Sequence, residues 1–293
     1  MSAQMILTRG VLRTLKPLFS RASLAQSKKG IVSSPPKGIV GEEVQVAGVR
    51  CVWLAREQVA AGVVLELHGG AYVSGPAKGH WQWLSAMCRG SGMAGLLVDY
   101  GLAPEHEYPY GIDQVMAVLA SLRAEGCAPI VLAGDSAGGG LAAAVCMRLR
   151  DEGLPQVDAA LLISPWLDIT MTDRRGAELE KRDSMLSVRM LDRAAIAYAG
   201  VHDRRDPYLS PLFGDPAGLP PTFVHVGTRE MFLAEDREFV QRCQDAGVAV
   251  TCVEQPGGFH GSAVFVAGLP ESRVAQEQML EFLAKHVRNH ARD

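Results

Sequence analysis

Ile130-Val131-Leu132-Ala133-Gly134-Asp135-Ser136-Ala137-Gly138-Gly139 runs directly into Gly140-Leu141-Ala142-Ala143-Ala144-Val145, and the change of character at Ser136 decides the fold. Four apolar residues, short enough for a buried strand, lead into Gly-x-Ser-x-Gly and then into a run of small helix-forming residues. A sharp strand-to-helix turn of this kind forces its central residue into strained dihedrals and lifts the side chain out of the sheet. Glycine two residues to either side leaves room for close backbone approach. Ser136 is therefore the candidate exposed hydroxyl. The competing reading is a glycine-rich turn with an incidental serine, and the flanking strand and helix patterns weigh against it.

The same alternation continues outward in both directions. Aliphatic or β-branched runs at 44–54, 62–67, 95–99, 130–133, 159–163, 222–226 and 248–253 alternate with helical or loop segments, with plausible helices at 80–89, 111–125, 139–152, 234–246 and 271–289. This rhythm predicts an α/β fold with a mostly parallel central sheet covered on both faces, the first strand pairing antiparallel with its neighbour. The stretch 166–207 breaks the rhythm: it is long, charged at Asp173-Arg174-Arg175 and Glu180-Lys181-Arg182-Asp183, then helical over 187–199, and it reads as an insertion. Leu7, Val11, Leu15 and Leu18 recur at helical spacing with Arg9, Arg13 and Lys16 on another face, predicting an amphipathic helix over 4–20. A membrane-surface helix and a helix covering an apolar cleft share that pattern, and the second is the expectation here. The organisation expected is an N-terminal cap segment at 1–40, a catalytic domain at 41–165 and 208–293, and a cap insertion at 166–207. The two cap parts together would form a lid over the strand ends, where an open α/β sheet binds ligands.

Composition narrows the function classes. With 293 residues, 48% hydrophobic and 21% charged, the chain has the profile of one large globular domain, and a net charge of −3 supplies no basic field for nucleic acid. The six cysteines form no CxxC pair and have no histidine at metal spacing, so neither a structural metal nor a cofactor is expected, and the thiols read as reduced. Arg9, Arg13 and Lys16 interrupt the N-terminal apolar residues, and no stretch reaches the roughly 18 apolar residues of a membrane span, so the expectation is a cytoplasmic protein without stable membrane insertion. A homodimer is left open.

A serine hydroxyl is a weak nucleophile at neutral pH and needs a base, which in turn needs an orienting group. Of eight histidines, His260 lies in a glycine-rich loop, Pro256-Gly257-Gly258-Phe259-His260-Gly261, after the last strand, where the chain order Ser, acid, His puts it. His225 sits inside a strand, His286 and His290 near the end of the last helix, and His80 and His202 lack comparable surroundings; all read as structural or solvated. The acid belongs at the end of the preceding strand, in Gly227-Thr228-Arg229-Glu230-Met231-Phe232-Leu233-Ala234-Glu235-Asp236. Glu230 is the first carboxylate there. Asp236 is the runner-up, placed further into the following helix and expected to point away from His260; it and Glu235 read as helix N-terminal charges. His68-Gly69-Gly70-Ala71 follows the strand Val63-Val64-Leu65-Glu66-Leu67, and the N–H groups of Gly70, Ala71 and Ala137 are the candidate oxyanion donors.

On these residues the chain resembles the hormone-sensitive-lipase-like branch of the α/β-hydrolases, over nearly all of 40–285. The resemblance rests on His68-Gly69-Gly70-Ala71-Tyr72, Asp99-Tyr100-Gly101-Leu102-Ala103-Pro104-Glu105-His106, Gly134-Asp135-Ser136-Ala137-Gly138-Gly139, Asp206-Pro207-Tyr208-Leu209-Ser210-Pro211 and the Gly-Gly-Phe-His loop, in order. It implies a Ser136–His260–Glu230 triad, the oxyanion donors just named, a lid, and hydrolysis of short- to medium-chain acyl esters through an acyl-enzyme, without metal or cofactor. Three departures stand out: Ala71 where the family has a third glycine, Glu230 where it has aspartate, and Gly101 where it commonly has arginine. The same machinery would also serve a lactonase or amidase. A ligand-binding protein built on a dead hydrolase is disfavoured because Ser136 and His260 are both present.

Overall fold

The computed structural model describes residues 1–21, 32–172, 174–266 and 268–287. Its strands are β1 (Glu42–Val46), β2 (Val49–Leu54), β3 (Val63–Leu67), β4 (Ala94–Val98), β5 (Ile130–Asp135), β6 (Ala159–Ile163), β7 (Thr222–Gly227) and β8 (Val250–Gln255). They form one sheet in the order β1-β2-β4-β3-β5-β6-β7-β8, antiparallel at β1–β2 and β2–β4 and parallel thereafter. The expected single strand at 44–54 is in fact a hairpin. Ala47 and Gly48, at φ 50° and 80°, make a two-residue turn of the kind that matches strand twist.

The helices are α1 (Ala3–Arg21), α2 (Lys78–Ser91), α3 (Tyr110–Ala124), α4 (Ala137–Asp151), α5 (Arg174–Leu179), α6 (Val188–Ala199), α7 (Leu233–Asp245), α8 (Ser262–Phe265) and α9 (Pro270–His286). Positions 288 and 289 of the expected last helix, His290, and residues 22–31 of the expected N-terminal segment lie outside the described residues. Alternate strand residues feed two cores, as the pleat requires. Val63, Leu65, Leu67, Ile130 and Leu132 pack with α3, α4 and α7, whereas Val64, Val131 and Ala133 pack with Trp81, Trp83 and Leu84 of α2 and Met279 and Phe282 of α9.

Register places the functional loops together. Leu67 pairs with Gly134, Asp135 with Ile163, and Gly227 with Gln255, so the segments leaving β3, β5, β6, β7 and β8 all emerge from one carboxyl edge. Residues 166–207 lie outside the strand–helix alternation, and α6 within them joins the main core through Leu191, Ala194, Ala195 and Tyr198. Tyr198 stacks on Tyr72 at 3.7 Å between ring centroids, and its carbonyl accepts from Tyr108 N–H.

α1 is amphipathic, yet it is turned the opposite way from the expectation. Residues 5, 9, 12 and 16 form the inner stripe: Met5 packs on Phe259 and Leu269 with Leu12 beside them, Arg9 donates to the Gly257 carbonyl, and Lys16 to the carbonyls of Glu180 and Asp183. Leu7, Val11, Leu15 and Leu18 are exposed by 71%, 53%, 37% and 66%, so they do not cover the cleft. The two cations reach backbone oxygens at loop ends, and the spacing that links them forces the leucine stripe outward. No helix among the described residues is long and apolar enough to cross a membrane.

Two glycines set how tightly α4 seats on the sheet. A Cβ on Gly138 would lie 1.8 Å from the Leu67 carbonyl oxygen, and one on Gly134 would lie 2.3 Å from the Gly138 oxygen. Gly138→Ala should therefore lower stability by about 3 kcal/mol, since the clash is with backbone. Gly10→Ala, on α1 with nothing within 4 Å of the new Cβ, should be neutral or stabilising by up to about 1 kcal/mol. Thermal unfolding of the two variants decides; an unchanged Tm for Gly138→Ala would show that α4 can lift off β3.

Candidate functional site

Ser136 sits between β5 and α4 at φ 53° and ψ −122°, the left-handed turn that the glycine spacing predicted. Its backbone is held on both sides: N–H donates to the Ile163 carbonyl, and its carbonyl accepts from Gly140 and Trp166 N–H. The hydroxyl, in a residue only 5% exposed, lies 2.9 Å from Nε2 of His260. Nδ1 of His260 is 3.3 Å from Oε1 of Glu230, which is fully buried. The three side chains named from sequence therefore meet in one line. Because Nδ1 faces a carboxylate, the proton belongs on Nδ1 and the lone pair on Nε2 faces the serine.

Glu230 is fixed through its second oxygen, which accepts from Gly227 N–H and from the Ser164 hydroxyl, both at 2.8 Å. Ser164 in turn accepts from Gly261 N–H at 3.1 Å, so one buried hydroxyl at the end of β6 ties the acid to the histidine loop. The Phe232 and His260 rings stand perpendicular with centroids 5.0 Å apart, and Trp166 stacks on Phe232. Burial pulls the imidazole pKa down, but the hydrogen bond and charge of Glu230, with Asp183 and Asp135 beyond, outweigh it and leave the pKa above 6.5.

Asp236 does point elsewhere, as expected, but it is no solvated helix charge. It is fully buried, neither oxygen has a hydrogen-bond partner, and burial together with the charges of Glu235 and Glu230 holds its pKa well above the usual carboxylate range. Glu235 is also buried and accepts from Leu167 N–H at 2.9 Å, anchoring the segment that follows β6. Both carboxylates lie in the first turn of α7, as expected, and that turn packs against the protein rather than facing water.

The loop after β3 carries three successive residues at positive φ: Gly70 at 132°, Ala71 at 54° and Tyr72 at 62°. Gly69 has no room for a side chain because Asp135 Oδ2 would lie 2.3 Å from its Cβ, and Gly70 none because the Ser74 carbonyl oxygen would lie 1.9 Å away. Ala71 departs from glycine at a left-handed position, where an alanine costs roughly 1–2 kcal/mol. Ala137, the first residue of α4, presents its N–H at a helix N-terminus beside Ser136. Gly101 has a physical explanation that the sequence did not offer: a Cβ there would lie 2.6 Å from Tyr110 and 2.8 Å from His106, whose rings stack at 4.2 Å.

Several site residues went unnoticed in the sequence. Asp135, fully buried and adjacent to Ser136, accepts from Gly69 N–H at 2.8 Å and lies 3.0 Å from Nε2 of His80. His80 Nδ1 accepts from Ala77 N–H at 2.7 Å, which assigns the ring proton to Nε2 and makes it a donor to Asp135. His80 is thus neither solvated nor incidental; it sits twelve residues after His68 in sequence, a spacing with no periodicity to mark it. Burial opposes the Asp135 charge, but His80 and Gly69 N–H hold its pKa below 3.8. Asp183 is buried inside the charged stretch, its Oδ1 accepting from Met185 and Leu186 N–H and its Oδ2 from Met231 N–H. It joins the insertion to the residue after Glu230.

Comparison with known proteins identifies the family. A family profile described as alpha/beta hydrolase fold matches residues 64–264. An acetyl-hydrolase of Streptomyces hygroscopicus is 35% identical over 261 residues, 88% of this chain and 86% of that protein. An esterase of Acinetobacter venetianus is 34% identical over 243 residues, 82% and 80% of the two chains. Among solved structures, an esterase from the bacterial hormone-sensitive lipase family superposes with a TM-score of 0.89 at 31% identity, covering 98% of this chain and 99% of that one. An esterase/lipase from an uncultured bacterium reaches 0.90 at 32% identity with the same coverage. Sequence, fold and the arrangement at the carboxyl edge converge, and the chain belongs to the α/β-hydrolase family, in its hormone-sensitive-lipase-like branch.

Proposed function

We propose that this protein is a carboxylic ester hydrolase that cleaves short- to medium-chain acyl esters through an acyl-enzyme, with Ser136 as nucleophile, His260 as general base and Glu230 as the acid that orients it. The observation that carries the reading is the continuous buried path from Ser136 Oγ to His260 Nε2, 2.9 Å, and from His260 Nδ1 to Glu230 Oε1, 3.3 Å. His260 takes the hydroxyl proton as Ser136 Oγ bonds to the ester carbonyl carbon. Gly70, Ala71 and Ala137 N–H groups receive the oxyanion, typically a contribution of about 3 kcal/mol per donor. Collapse of the tetrahedral adduct breaks the bond to the alcohol, which leaves with the proton from His260. Water, deprotonated by the same imidazole, then attacks the acyl-enzyme and releases the acid. Every step uses the chain's own groups.

The acyl chain length is a separate part of the proposal. Two of the first relatives compared bear on this: one is an acetyl-hydrolase and the other an esterase. The division into a catalytic domain at 41–165 and 208–293 with caps at 1–40 and 166–207 is part of the same proposal. It is supported by Asp183, which reaches from the insertion to Met231, and by Lys16, which reaches from α1 to the Asp183 carbonyl.

Ser136→Ala should hydrolyse p-nitrophenyl acetate at less than about a thousandth of the wild-type rate while unfolding at the same temperature; full activity would remove Ser136 from the reaction. Glu230→Gln should be crippled far more than Asp236→Asn in kcat, and the reverse order would identify the wrong carboxylate. The pH profile supplies a separate check. Only neutral His260 accepts the proton, and Glu230 raises its pKa above 6.5, so the wild-type acid limb should lie above that value. Glu230→Gln leaves burial as the dominant influence, so its residual activity should persist to lower pH; an acid limb that stays put would deny Glu230 its contact. For Ala71→Gly, relief of about 1 kcal/mol of left-handed strain opposes a similar gain in unfolded-chain freedom, so both Tm and activity should be nearly unchanged.

A further inference from the structure

The outward stripe of α1 is the largest concentration of exposed apolar side chains among the described residues. Ile6, Leu7, Val11, Leu15 and Leu18 are five of the twelve large hydrophobic residues that are exposed there, the rest being scattered along the chain. Leu7, Val11, Thr14 and Leu18 follow one another at i, i+4, i+7 and i+11, a straight uncharged line along the helix with Leu15 and Ile6 on its flanks. The cations that would ordinarily solvate an amphipathic helix are committed inward, Arg9 to Gly257 and Lys16 to Glu180 and Asp183. Isolated surface leucines need no explanation, but a contiguous line of them on a helix does.

We propose that this face of α1 docks the protein reversibly on an anionic lipid surface. The helix contains no Asp or Glu and four basic residues, Arg9, Arg13, Lys16 and Arg21, in a chain whose net charge is −3. Arg13, exposed at the rim between the apolar line and the buried stripe, can extend its long side chain to headgroup phosphates while Leu7, Val11 and Leu18 enter the acyl boundary. That same composition argues against a second copy of this chain as the occupant. A two-fold contact would set the stripe against itself and bring together two helices with four basic residues each and no carboxylate to compensate. The helix lies on the face of the molecule where the site opens: Met5 packs on Phe259, the residue before His260, and Lys16 holds the carbonyl of Asp183, whose side chain binds Met231 beside Glu230. Docking would hold the site at a surface in which apolar esters collect. The inference is independent of the proposed chemistry, since it concerns binding alone.

Sedimentation of the full chain with vesicles of phosphatidylcholine and phosphatidylglycerol in equal amounts tests it, beside vesicles of phosphatidylcholine only. The wild type and Ser136→Ala should both sediment with the anionic vesicles, more weakly with the neutral ones, and less at high salt. A triple variant, Leu7→Ser, Val11→Ser, Leu18→Ser, should lose at least tenfold in vesicle affinity, and Arg13→Glu should lose affinity for the anionic vesicles alone. Because the replaced side chains face outward, Tm and hydrolysis of soluble p-nitrophenyl acetate should stay within twofold or a few degrees of wild type. Absence of wild-type binding, or equal binding by the triple variant, overturns the proposal. So does a wild-type dimer in sedimentation velocity that the triple variant converts to monomer, since the stripe would then belong to a second copy.

Discussion

Everything at the carboxyl edge of the sheet depends on one backbone turn, the left-handed conformation at Ser136 between β5 and α4. In a continuing strand, residues 135, 136 and 137 would alternate between the two faces of the sheet. The turn instead aims them in three useful directions: Asp135 back beneath the loop of Gly69, Ser136 up to His260, and the Ala137 N–H out along the start of a helix. A non-glycine residue at positive φ costs of order 1–3 kcal/mol and persists only where its surroundings over-determine it. They do so here: the Ser136 backbone makes three hydrogen bonds, and any side chain at Gly134 or Gly138 would strike backbone. The strain is held by the packing of α4 on β3 rather than by the site itself.

From that turn follows an unusual concentration of buried acid. Glu230, Asp135 and Asp183 each bear on His260, and all three raise its pKa against the burial that lowers it. Asp135 keeps its charge because His80 and Gly69 supply donors, whereas Asp236 and Glu66, buried without hydrogen-bond partners, are driven well above the ordinary carboxylate range. The division is physical: converging N–H groups offset the cost of burying a carboxylate's charge, and burial without them raises its affinity for a proton. The consequence for the proposed mechanism is that negative charge surrounds the imidazole when it becomes imidazolium, the form present as the tetrahedral adduct forms.

Sheet, helix order and the Ser136–His260–Glu230 alignment were legible because each is written in local pattern: a period-two or apolar run, a glycine spacing, a position at a strand end. The hairpin at 42–54 was not, since Ala47-Gly48 lacks the asparagine or aspartate that usually marks a tight turn. His80, Asp135, Ser164 and Asp183 were missed for a different reason. Their partners lie far off in sequence, as with Ser164 and Glu230, 66 residues apart, so no spacing rule announces them. Asp135 alone had a visible signal, an ionisable residue inside the apolar approach to the turn. Gly101 was legible only in three dimensions, through the stacked rings of His106 and Tyr110 above it.

The two segments expected to cap the site are attached in different ways, and this decides how each can move. α6 contributes Leu191, Ala194, Ala195, Tyr198 and Ala199 to the main core, and Tyr198 is stacked flat on Tyr72 beside the glycine loop. Lifting it would open the core that supports β3. α1 touches a satellite cluster of Met5, Phe259 and Leu269, meets α6, and is otherwise held by Arg9 and Lys16 on backbone carbonyls and by Ser2, just before it, on the Glu271 carboxylate. Few buried apolar contacts and a handful of half-exposed hydrogen bonds define a region of low local stability. α1 is therefore the more loosely attached of the two segments. Lys16 grips the Asp183 carbonyl and Asp183 grips Met231 N–H, so α1 is linked through backbone groups to the residue after Glu230.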